Sequence, residues 1–378
     1  MRENPNIKIE YEVAPAYNEY KTKLMAAGAA GNLPDLGTVD SFWAPYFAQV
    51  GYLQPLEELW SEKDRSDYMP FTIKGVTYKN HIYGVWINTD VRLLYYRKSY
   101  YKEAGLDPNN PPRTLAELRE YAKKLTRKGH WGFGFAAGRG ESLLNESTWP
   151  FFWSGGGEIV DDDGNPKVLE GKNRELLKKI FSTYYDMIHN DKSVPKDVLN
   201  YTQLSAIEPE IWAGKFAQFI GGSWHMAKFK RYMPDDWQDW GYAPVPRLSE
   251  KDKLATSAGG FVWAIFTKDP KKQAAAWKFI EYYNRPEHII DYVKYDNQLP
   301  VRKSNSNDPF FSSDPFMSFC VKQLDNGHTR PGGPLYAVIS DRIAVAAGEY
   351  FIQTKSLEDA LDDAKKAIEQ EWQRIQGQ

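Results

Sequence analysis

Side chains able to do chemistry are plentiful in this chain, but their spacing argues against most reactions. Six histidines, His81, His130, His189, His225, His288 and His328, stand apart from one another. None has another at i+3 or i+4, so the pairing of a zinc site is missing and each reads as a core or surface histidine. The single cysteine, Cys320, lies between Phe319 and Val321 and reads as a buried thiol, with no partner for a disulfide or a cysteine metal cluster. Gly132-x-Gly134-x-x-x-Gly138 is one residue too long for a dinucleotide fingerprint, and no Gly-x-x-x-x-Gly-Lys-Ser/Thr loop is present. Gly221-Gly222-Ser223-Trp224-His225 has the start of a nucleophile elbow without its closing glycine. Asp161-Asp162-Asp163-Gly164 lacks the ligand order of a calcium loop and reads as a polar hairpin turn. A glycoside hydrolase needs two carboxylates facing each other across a sugar bond, and no local signature selects such a pair from the 50 acidic residues. Binding surfaces are on offer without an obvious reaction centre.

The composition points the same way. Trp, Tyr and Phe make up 15% of the chain, with 13 Trp, more than packing alone is expected to need. Flat aromatic surfaces also suit hydroxyl-rich ligands that have apolar faces, sugars above all. Lys and Arg number 48 against 50 Asp and Glu, so no broad basic surface for nucleic acid is implied. At 42% hydrophobic and 26% charged, the 378 residues suit a folded protein of two or three lobes. No apolar run approaches the roughly 20 residues of a membrane helix. Met1-Arg2-Glu3-Asn4-Pro5-Asn6 has no apolar signal core.

The elements that must position these side chains alternate between strand and helix. Ile7 to Val13 alternates at period two and predicts a half-buried strand. Helix is expected over 17–30, a buried strand over 34–39, and a helix from Ser41 to about Val50. Val76 to Val85 reads as a hairpin, Arg92 to Tyr96 as a strand, and Thr114 with Glu117 as a capping box opening a helix. Further strands are expected at 131–136, 216–220 and 261–266. Helices are expected at 145–153, 173–189, 205–213 and 270–283, and one begins at Trp224. The stretch from Pro300 to about Tyr336 reads as loop, and a long helix starts at Ser356. This order implies an α/β fold.

Several segments in sequence carry a family resemblance. Glu3-Asn4-Pro5-Asn6-Ile7-Lys8-Ile9, Gly31-Asn32-Leu33-Pro34-Asp35-Leu36, Gly51-Tyr52-Leu53-Gln54-Pro55-Leu56, Tyr83-Gly84-Val85, Gly221-Gly222-Ser223-Trp224 and Leu299-Pro300-Val301-Arg302-Lys303-Ser304 follow in that order. Together they resemble the extracellular solute-binding proteins of carbohydrate ABC importers, the maltose-binding-protein-like family. The resemblance implies a two-lobed periplasmic-binding-protein-like fold with a hinge and a central ligand cleft. The implied first lobe is 1–90 plus 260–304 and the second 91–259 plus 305–378. It also implies a preceding strand and helix of roughly 30–40 residues that the chain as given does not carry.

The cleft residues follow from the same resemblance. Asp40, Ser41 and Trp43 sit in a strand-to-helix loop, where open α/β sheets bind ligands. Asp90 falls at the hinge, either touching sugar or fixing the hinge by a hydrogen bond. Arg92 is left between pairing with Asp90 and donating to a hydroxyl. Asn145, Glu146 and Trp149 match a stretch near the cleft, with core packing the other reading of Trp149. Trp224 is the expected stacking aromatic, Gly259 and Gly260 allow close backbone approach, and Phe261 is contact or core. Arg330 and Tyr336 lie in the late loop over the ligand. The implied partners are an oligosaccharide and the ABC permease, with no nucleic acid, no cofactor, no metal and a monomeric state. The implied location is extracytoplasmic, in the periplasm or lipid-anchored at the cell surface. The competing functions are a carbohydrate-active hydrolase using two cleft acids and a binder of a non-sugar solute.

Overall fold

The computed structural model describes residues 4–13, 17–161, 163–333 and 335–377. Met1 to Glu3 and Asp162, on which expectations above rest, lie outside them. Among the described residues ten strands fall into a three-stranded sheet, a five-stranded sheet and a small hairpin. The strands are β1 (Leu36–Asp40), β2 (Thr77–Tyr78), β3 (His81–Ile82), β4 (Val85–Trp86), β5 (Asp90–Arg97), β6 (Gln218–Gly222), β7 (Trp240–Pro244), β8 (Thr256–Gly259), β9 (Phe261–Ile265) and β10 (Gly327–His328).

The three-stranded sheet has the order β1-β9-β4, with both outer strands antiparallel to β9. In the larger sheet β5 is central. It pairs with β6 along one edge and with β8 and then β7 along the other, while β10 joins β8 in parallel. Every residue of β5 is buried, as expected of a strand covered on both faces.

Two passages of the chain between the sheets, β4 to β5 and β8 to β9, run side by side. Only Ile87, Asn88 and Thr89 separate β4 from β5, and only Gly260 separates β8 from β9. The two passages are stitched together. Thr89 Oγ1 donates to the Gly259 carbonyl at 2.9 Å, and the Phe261 amide donates to Asn88 Oδ1 at 3.4 Å. A Cβ on Gly260 would stand 2.0 Å from the Asn88 carbonyl oxygen, which is why only glycine fits.

Most expected elements are present, with four corrections. Residues 7–13 form no strand: no neighbour pairs with them among the described residues, and Ile9, Tyr11 and Val13 are exposed. Alternation supplies one buried face only when a second strand is there to hydrogen-bond. The 131–136 stretch makes isolated bridges at Trp131 and Gly134. The aromatic helix is two short ones, Glu141–Asn145 and Trp149–Ser154, because Pro150 suits a first turn and not an interior. The stretch after Pro300 holds helices Pro309–Ser313 and Pro315–Gln323. Each is opened by an aspartate that accepts a backbone N–H, Asp308 from Phe310 and Asp314 from Met317, followed by proline in the first turn. A further helix, Tyr336–Phe351, packs along the C-terminal helix Leu357–Gln376.

Gly260→Ala is expected to lower the unfolding free energy by about 1–3 kcal/mol, because backbone must move to admit the methyl group. Urea denaturation followed by tryptophan fluorescence measures it; an unchanged midpoint would show that the crossing tolerates a side chain.

Candidate functional site

The carboxyl end of β1 and the start of β5 face each other where the sheets meet, and two buried arginines stand between them. Asp90 and Arg92 are two apart on one strand, so their side chains leave the same face. Arg92 Nη1 pairs with Asp90 Oδ1, and its Nε donates to Glu146 Oε1 at 3.0 Å. Arg92 is thus ion-paired with Asp90 in this structure. Asp90 Oδ1 also accepts from the Gly259 amide at 3.2 Å. Burial opposes the Arg92 charge, but Asp90 and Glu146 outweigh it and raise its pKa. Burial pushes the Glu146 carboxyl above its usual range although Arg92 opposes this.

The second arginine comes from the loop after β10. Arg330 Nη2 donates to Asp40 Oδ1 at 3.0 Å, and Nη1 to Glu141 Oε1 at 3.4 Å. Its guanidinium lies 3.9 Å from the ring centre of Phe42. Asp40 ends β1 and caps the turn Ser41–Trp43, accepting from the Phe42 amide at 3.4 Å and from Ser41 Oγ at 3.5 Å. Arg330 therefore ties the end of the small sheet to the helix Glu141–Asn145. Gly259 makes room where the two arginine clusters adjoin. A Cβ there would lie 3.0 Å from Arg330 Nη2 and 3.7 Å from Asp90 Oδ1.

Tyr336 Oη donates to Glu141 Oε1 at 2.6 Å and accepts from Trp149 Nε1 at 2.8 Å. Ser340 Oγ donates to the other Glu141 oxygen. Burial drives the Tyr336 hydroxyl well above its usual pKa, so it acts as a donor. Glu141 and Lys21 were not singled out from the sequence, because no local motif marks them. Lys21 reaches the site from the first helix, its Nζ 5.6 Å from the Trp43 ring centre, and burial lowers its pKa.

The expected aromatics divide. Trp43 is buried beside Tyr20, Phe42 and Phe47, and Trp149 is buried against Phe152, so both indoles pack in the core in this conformation. Phe261 is half-buried at the crossing. Trp224 is half-buried and lies over Gly222, where a Cβ would meet its ring at 2.0 Å, with the Arg92 guanidinium 4.7 Å from the ring centre. Beneath this turn the fully buried His225 holds the Gly222 amide through Nδ1 at 3.1 Å and places Nε2 3.3 Å from Glu208 Oε1. Burial opposes the Glu208 charge, but His225 and Lys228 outweigh it and hold the carboxyl down at about 2. Among the described residues no cluster of side chains could hold a metal ion, and no helix is long and apolar enough to cross a membrane.

A family model for bacterial extracellular solute-binding proteins matches residues 1–289. The chain belongs to that family. It is a solute-binding protein of the ABC-importer class with the two-lobed fold, the crossings described above joining the lobes. A maltotriose-binding protein of Pyrococcus abyssi is 23% identical over 376 residues, covering 99% of this chain and 77% of its own length. An sn-glycerol-3-phosphate-binding periplasmic protein of Escherichia coli is 25% identical over 347 residues, covering 86% of this chain and 75% of its own. Among solved structures, a maltose-bound protein of T. maritima aligns with a TM-score of 0.84 at 25% identity, over 97% of this chain and 93% of that one. A solute-binding protein of Thermotoga lettingae bound with α-D-tagatose aligns at 0.82 and 26%, over 93% and 88%.

Removing Arg92 leaves two buried carboxylates without their cation. Arg92→Met is expected to cost about 3–5 kcal/mol in urea denaturation, and Glu146→Gln added to it to recover part of that loss. The depressed Glu208 pKa contributes stability that is full above its unfolded value of about 4.5 and is lost as the pH falls towards 2. Glu208→Gln is expected to remove up to about 3 kcal/mol of that acid dependence. Denaturation midpoints at several pH values between 2 and 7 measure it, and an identical pH profile in the variant would refute the assignment.

Proposed function

We propose that this chain captures a sugar or oligosaccharide in the cleft between its two sheets and delivers it to an ABC permease without turning it over. The observation that carries the reading is a half-buried Trp224 set beside directional polar groups, Asp90, Arg92 and Glu146, where the lobes meet. An indole covers the apolar CH face of a pyranose, while fixed donors and acceptors meet its hydroxyl edge; this is the make-up of a specific small-molecule site. The relatives named for maltotriose and maltose support a saccharide ligand.

The lobes of this reading are 1–90 plus 260–304 and 91–259 plus 305–378, closing on the hinge at Asn88–Asp90 and Gly259–Phe261. Asp40, Ser41, Arg330 and Tyr336 line the closing side, and Asn145 with Glu146 the far wall. The protein works as a monomer outside the cytoplasm, in the periplasm or anchored by lipid at the cell surface. The family's extracellular assignment supports that location.

Calorimetry of the protein against a panel of mono- and oligosaccharides is expected to give saturable binding to at least one sugar. Trp224→Ala and Asp90→Ala are each expected to weaken it by about tenfold or more, since each loses contacts worth about 1–3 kcal/mol. Unchanged affinity in both folded variants would refute the site, and release of shorter sugars on long incubation would favour a hydrolase.

A further inference from the structure

The charges in the cleft do not balance. Its two guanidinium groups, on Arg92 and Arg330, are both already engaged by carboxylates. Arg92 is held between Asp90 and Glu146, and Arg330 between Asp40 and Glu141. Four acids thus face two arginines in contiguous, largely buried space, and Lys21 at the margin offsets one charge at most. Burial raises the Glu146 pKa, while Arg92 and Arg330 oppose that rise.

The same wall carries two acceptors without a protein donor. Among the described residues Glu146 Oε2 and Asn145 Oδ1 make no hydrogen bond, although their residues are only 6% and 4% exposed. Both are acceptors, so a ligand completing this wall must bring donors. The partners of the other atoms are fixed. Glu146 Oε1 accepts from Arg92 Nε at 3.0 Å and from Asn145 Nδ2 at 3.1 Å. Neither orphan can turn away without breaking these bonds.

We propose that the solute is a saccharide bearing a protonated amine, an amino sugar, whose ammonium group docks against Glu146 Oε2 and Asn145 Oδ1. The proposal rests on the sugar-binding reading above. An ammonium offers three donors and one positive charge, so it satisfies both orphan acceptors and reduces the buried negative excess together. A neutral hydroxyl can satisfy an acceptor but leaves that excess in place when the cleft closes. A carboxylate or phosphate adds to it, because neither guanidinium is free to receive an anion without releasing an acid. The cleft therefore ranks ligands amine first, hydroxyl second and acid last.

The test is calorimetry with pairs of saccharides of the same ring and linkage that differ only in a 2-amino group for a 2-hydroxyl, at a pH where the amine is protonated. A uronic-acid counterpart serves as the third arm. The amino member is expected to bind at least about tenfold more tightly, and the acid not measurably. The tenfold preference should weaken with added salt. In Glu146→Gln, folding checked by thermal melting, the preference for the amino member over its hydroxyl counterpart should collapse towards unity. Equal or weaker binding of the amino member in every pair overturns the proposal while leaving sugar binding intact. A preference that persists in Glu146→Gln overturns the docking site. Failure of every saccharide to bind overturns the sugar reading itself, and this proposal with it.

Discussion

Two guanidinium groups are buried where the two sheets meet, and the surrounding architecture follows from the need to pair them. A buried charge left alone costs several kcal/mol, so each arginine must be met by acids delivered from different parts of the chain. Arg92 draws Asp90 from its own strand and Glu146 from the end of a helix. Arg330 draws Asp40 from the small sheet and Glu141 from the same helix as Asn145. The pairs link β1, β5, the 141–146 segment and the loop after β10, segments far apart in sequence. The glycines at 259 and 260 are the complement of this arrangement, since a side chain at either would displace an arginine or a backbone carbonyl.

The arrangement also sets the terms on which a solute enters. The polar groups of the cleft are largely occupied by one another, so a ligand exchanges hydrogen bonds with most of them and meets unfilled acceptors at Glu146 Oε2 and Asn145 Oδ1. Binding is then favourable only where the ligand matches those groups better than they match each other, which is a source of specificity. The hinge suits such an exchange. It consists of two adjacent short crossings fastened together at Thr89–Gly259 and Asn88–Phe261, so the lobes can rotate while the crossings stay in register. The Trp224 indole lies over Gly222, whose amide is bonded to His225 Nδ1.

Much of this was legible in the residues. The i, i+2 spacing of Asp90 and Arg92 on a strand places both on one face, so their pairing was one of two readings available beforehand. The Gly-Gly turn before Trp224 and the paired glycines at 259–260 marked close approaches that the structure contains. Less was legible where a signal needs a distant partner. The alternation of residues 7–13 reads as a strand, yet no strand forms among the described residues. The stretch from Pro300 to about Tyr336 reads as loop, yet Asp308 and Asp314 each cap a helix within it. Glu141, which joins Arg330, Tyr336 and Ser340, carries no local mark. Trp43 and Trp149 have the right residue type for stacking, and their burial in the core follows from neighbours elsewhere in the chain.

The order of elements, the caps, the positions that demand glycine and the family are properties of the sequence by itself. They depend on residues within a few positions of one another or on the succession of short segments along the chain. Which carboxylate meets which arginine, which aromatic is covered, and whether charge in the cleft balances were decided only by the tertiary structure. Those properties depend on groups from four separate segments meeting in one low-dielectric space, where distance and burial, not residue type, set the energy.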